Sequence, residues 1–135
     1  MGEWLDRALM VSPVYYALCT TEAGYHKILK GMGVDKDTWP PFTSFDAGGT
    51  THFFTKGDKV SAVVCVKNDK SLDKLQIYAL LVHEAVHIWQ EILQNIHEKA
   101  PSQEFEAYSI QKISQNLMYS YDKQTKPKKV KNGKA

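Results

Sequence analysis

His83-Glu84-Ala85-Val86-His87 places two imidazoles and a carboxylate within one short stretch of helical periodicity. On a helix, residues four apart share one face, so His83 and His87 can offer two nitrogen donors to a single zinc ion. Glu84 follows the first histidine and is turned from it by about 100°. It does not point with the donors, yet it can reach a water beside the metal. Zinc lowers the pKa of such a water towards about 7, and a carboxylate acting as general base removes its proton. The chemistry that this spacing points to is hydrolysis.

The flanking residues say how the helix must sit. With His83 at 0° and about 100° per residue, Gln76, Ala79, Leu80, His87, Gln90, Glu91 and Gln94 gather near the histidines. Tyr78, Leu81, Ala85, Ile88, Trp89, Ile92 and Ile96 gather opposite. Histidines placed for packing would lie among the Leu and Ile; these lie on the polar side, as a cleft wall requires. A catalytic zinc also needs a third protein ligand and an open position. Neither Cys19 nor Cys65 follows the motif. The metzincin pattern wants a third His about six residues after the second, with a Gly between; here Glu91 to Leu93 fill that stretch and His97 comes too late. The remaining source is the next helical segment, with Glu104 and Glu106.

Leu81-Val82-His83-Glu84-Ala85-Val86-His87-Ile88-Trp89-Gln90 and Glu104-Phe105-Glu106-Ala107-Tyr108-Ser109-Ile110-Gln111 together resemble the gluzincin (thermolysin-like) zinc metallopeptidases. More narrowly, they are similar to small phage- and prophage-encoded proteins of that type. The likeness spans roughly residues 13 to 121, and its specific motifs are the two helical ones. It implies one zinc ion held by His83, His87 and a glutamate, with Glu84 as general base in peptide-bond hydrolysis of a peptide or protein substrate. The family pattern, a Glu three before Ala107, favours Glu104 over Glu106 as the third ligand. Glu106 shares its helix face with Ile110, Ile113 and Leu117, whereas Tyr108, Gln111, Gln115 and Tyr119 share that of Glu104. Tyr108 stands where many relatives carry Asp against a zinc histidine. It is left to orient a ligand, to donate to the oxyanion of the tetrahedral intermediate, or simply to pack. A different class of reading keeps the metal without turnover: a zinc-binding scaffold or assembly protein. An intact Glu84 argues against it, since a structural site has no use for a base.

The elements that must position these residues are legible in part. Val14–Cys19 reads as a strand, and Thr20 or Thr21 caps a short helix with Tyr25, Ile28, Leu29 and Met32 on one face. Gly31 and Gly33 stop it, and residues 35–49 read as a loop. Residues 50–55 and 60–66 flank Gly57-Asp58 as a hairpin whose second strand is apolar on both faces. Ser71 is the expected cap of the zinc helix, with Asp73 in its first turn. That helix runs from Leu72 to about Ile96, and a last one from about Gln103 to Tyr121. The expected architecture is α+β: a small, mainly antiparallel sheet on the zinc helix and the ligand helix, a minimal zincin-like fold. His52 and His26 read as satisfied or solvent-facing histidines. By fold analogy, the hairpin stands where substrate would add as a strand.

With 135 residues, 43% of them hydrophobic, the chain suits one domain with a modest core. That domain is expected over residues 1–122, followed by a disordered basic tail at 123–135. The tail carries six lysines and no acid; without them the net charge of +2 becomes −4. Having neither Arg nor an aromatic, the tail reads as solvated, which weighs against nucleic acid as a partner. A mixed, charged start and the lack of a long apolar run speak against a secretory signal and a membrane span. Two cysteines without metal spacing read as buried thiols in a reducing compartment, so a cytoplasmic location is expected.

Overall fold

The computed structural model describes Gly2 and residues 11–44 and 47–127. Three strands, β1 (Val14–Cys19), β2 (Gly49–Lys56) and β3 (Lys59–Val66), form one sheet in the order β1-β3-β2. Three helices accompany it: α1 (Glu22–Gly31), α2 (Lys74–Asn95) and α3 (Gln103–Thr125), with a short 3-10 turn at Lys36–Thr38 inside the expected loop. The class is α+β, but the sheet is mixed rather than mainly antiparallel. β2 and β3 pair antiparallel, whereas β1 runs parallel to β3, from Val14 opposite Val60 to Cys19 opposite Cys65. A parallel pair needs a long crossover. Here α1, the loop and β2 all lie between the partners, so no local pattern announces the pairing.

The hairpin closes on Lys56 opposite Lys59, leaving Gly57-Asp58 as a two-residue turn. Gly57 has φ of 63°, the left-handed value that a tight hairpin turn asks of its first central residue and that glycine takes without steric cost. β3 is central, and Val60 and Ala62 to Val66 are all buried. One face of the sheet carries Val14, Leu18, Val60, Ala62, Val64 and Val66 against α2 and α3. The other carries Cys19, Val63 and Cys65 against Tyr25 and Leu29 of α1, with Trp39 and Phe42 of the loop closing over them.

α2 begins two residues later than the spacing suggests, and its cap is Asp73, not Ser71. Asp73 Oδ1 accepts from Gln76 N at 2.8 Å while Gln76 Oε1 accepts from Asp73 N at 2.9 Å, a reciprocal capping box. Asp73-x-x-Gln76 offers two satisfied donors where Ser71 would offer one. Ser71 instead donates its backbone N–H to Asp69 Oδ1 in the preceding turn. At the other end His97 takes φ of 57°. His97 N donates to Gln94 O and Glu98 N to Leu93 O, the Schellman pattern, with histidine where glycine is usual. α3 runs on to Thr125. In its last turn Gln124 Nε2 donates to Leu18 O at 2.8 Å, and Thr20 N donates to Gln124 Oε1. The lysines from 128 onward lie outside the described residues.

The β1–β3 pairing places Cys19 beside Cys65 under Tyr25, whose hydroxyl donates to Pro40 O at 3.0 Å. Burial pushes the Cys19 thiol up to about 11 and the Cys65 thiol further in the same direction. Burial, then Cys65 and Cys19, push the Tyr25 hydroxyl up to about 12. All three are therefore neutral in the folded chain where the unfolded chain would ionise. A raised folded pKa gives stability that is whole below the ordinary value and lost as pH climbs to the folded one. The melting temperature should hold below pH 9 and fall between about pH 9 and 12. A Cys19→Ala/Cys65→Ala chain should lose less over that range, which a thermal melt series across pH measures.

Candidate active site

α2 buries Ile77, Leu81, Ala85, Ile88, Trp89 and Ile92 and leaves His83 and His87 exposed. The two-sided pattern in the sequence is therefore the real disposition of the helix. The imidazoles converge: His83 Nε2 and His87 Nε2 are 3.1 Å apart. Two nitrogens on one tetrahedral zinc, each at about 2.05 Å, would stand about 3.3 Å apart. The pair thus fits two of the ligands such an ion takes. Gln90 Oε1 lies 3.2 Å from His87 Nδ1. An amide oxygen only accepts, so Nδ1–H is the donor in that contact.

Glu84 reaches from α2 towards the sheet. It is only 4% exposed, and a buried carboxylate demands a partner. That partner is Thr51 of β2, whose hydroxyl donates to Glu84 Oε2. Thr51 pairs with Val64 in the sheet and so shares the face that meets α2. β2 starts close against α2: a Cβ on Gly49 would stand 3.0 Å from Leu80 Cδ2. Glu84 and His87 together line a cleft of 320 Å³ whose other wall is Ser44, Ala47, Gly49, Thr50, Thr51 and Phe53. The sequence alone did not single out Thr51. The available signal was strand alternation, which puts Thr51, Phe53 and Thr55 on one face.

The residues expected from the following helix are placed elsewhere. Glu104 is exposed on the first turn of α3. Among the described residues, no three His, Cys, Asp or Glu side chains gather closely enough to hold a metal ion, so Glu104 stands outside the histidine pair. Glu106 is engaged on the packed side, where Trp89 Nε1–H donates to its Oε2 at 3.0 Å. Tyr108 is 66% exposed and lines a different cleft, with Tyr16, Trp89, Phe105 and Ile113. The structure therefore sets Glu84 against Thr51 in a cleft that His87 also lines, with His83 converging on His87, and places Tyr108 in a different cleft. His52 lies on the α1 side of the sheet, stacked on Tyr25 with ring centroids 5.4 Å apart and its Nε2 3.1 Å from Phe42 O. His26 is stacked on Trp39 and lies 3.8 Å from Glu22. Both are held by packing and local partners. No helix among the described residues is long and apolar enough to cross a membrane.

No family model, curated protein or solved structure matches the chain.

Proposed function

We propose that the protein is a zinc-dependent peptidase whose reaction takes place between α2 and β2. One observation carries this reading: a buried carboxylate, Glu84, borders the same cleft as His87, whose Nε2 converges with that of His83. His83 and His87 would hold the ion; Glu104, exposed on α3 and apart from the pair in this structure, is the third ligand that the gluzincin resemblance suggests. When bound, zinc supplies Lewis-acid polarisation of the substrate carbonyl and makes water acidic enough to attack at neutral pH.

The chain's own groups do the rest. Glu84 accepts a proton from the attacking water as its oxygen adds to the carbonyl carbon. It returns that proton to the amide nitrogen as the C–N bond breaks, so acid and amine leave and the carboxylate is regenerated. Among the described residues β2 ends the sheet on the cleft side, and an extended peptide adding to it would run past Glu84. Phe53, 39% exposed on the wall of the cleft, offers an apolar surface to a substrate side chain.

Elemental analysis and zinc titration of the purified chain test the metal directly. One zinc per chain is expected, with affinity falling by at least about 100-fold in His83→Ala and in His87→Ala, beyond the loss usual for a mere outer partner. An internally quenched peptide mixture should be cleaved, cleavage should stop with chelator, and added zinc should restore it. Unchanged zinc affinity in both histidine variants would refute the site.

A further inference from the structure

We propose that Thr51 is the positioning residue for Glu84, a role that rests on the peptidase reading above. Three observations converge on it. Glu84 has three rotatable side-chain torsions, yet it is buried, and the Thr51 hydroxyl donates to its Oε2. Thr51 has little freedom: its backbone is the third residue of β2, paired with Val64, and its β-branched side chain is stiff at χ1. β2 packs closely on α2 beside this pair, a Cβ on Gly49 standing 3.0 Å from Leu80 Cδ2. The general base is thus held by a rigid donor on the opposite wall of its own cleft, not by its helix alone.

A base acts only within hydrogen-bond reach of the proton that it takes, and a misplacement of about 1 Å costs on the order of 100-fold in rate. The hydroxyl fixes which way the Glu84 carboxyl group faces. Its hydrogen is given to Glu84, so its loss should appear in kcat more than in KM.

Thr51→Val keeps the β-branched shape and strand preference of the side chain and removes only the hydroxyl; Thr51→Ser keeps the hydroxyl. With one internally quenched peptide drawn from the cleaved mixture, Thr51→Val should lower kcat by about 10- to 100-fold, with KM within about twofold. Thr51→Ser should recover most of that loss. Zinc affinity should be the same in all three chains, which separates positioning from damage to the metal site. In a Glu84→Gln background, Thr51→Val should have no further effect on kcat, because residues acting as one unit are not additive. Melting temperatures of both single variants and the double variant should likewise be non-additive. Wild-type kcat in Thr51→Val, or no recovery in Thr51→Ser, would overturn the assignment while leaving the peptidase reading intact. A wild-type chain that binds zinc but cleaves nothing in the mixture would overturn both.

Discussion

Glu84→Gln should lower peptide hydrolysis by about 10²- to 10⁴-fold, the usual contribution of a positioned general base, while one zinc remains bound. The side chains are nearly isosteric, and the amide can still accept the hydrogen bond that Thr51 donates. What it cannot do is take a proton from water. The variant therefore separates catalysis from folding and from metal binding. Zinc lost together with activity would mean that Glu84 is needed to build the site. Unchanged biological activity with zinc retained would favour the non-catalytic scaffold, in which the buried carboxylate serves only to join α2 to β2.

Leu81→Ala should be the most damaging single change to the fold that touches no functional atom. Leu81 is fully buried, two residues before His83, where α2 lies against the sheet. Removing three heavy atoms from such a position costs about 2–5 kcal/mol, depending on how far the cavity collapses. That is a large share of the roughly 5–15 kcal/mol that holds a small domain. A fall in melting temperature of about 10 °C or more is expected. Because α2 carries both histidines, zinc affinity should fall with it, although no ligand has changed. A melting temperature within a degree or two of wild type would mean that α2 is anchored from α3 rather than from the sheet.

The convergence of His83 and His87 was readable before any coordinates, because a spacing of four is a local property of one helix. So was the split between a buried and a polar side of α2, since hydrophobic periodicity needs only the residues of that helix. The hairpin at Gly57-Asp58 was equally legible. The cap falls at Asp73 and not at Ser71, although the Asp73–Gln76 reciprocal pair is written in the sequence. His97 in the left-handed region had no such signal, since the Schellman turn is usually written with glycine.

The helical spacing of the motif, the face on which it lies and the strands that flank the turn are all local properties of the chain. All of these depend on contacts a few residues apart. Packing between distant segments alone pairs β1 parallel to β3, setting Cys19 beside Cys65 and making the sheet mixed. Only it decided that Glu84 would be buried against Thr51, thirty-three residues away. It also left Glu104 exposed on α3, apart from the histidine pair, and gave Glu106 to Trp89. Each of these is set by how separate elements pack, and packing distances between elements are not written in the periodicity of any one of them.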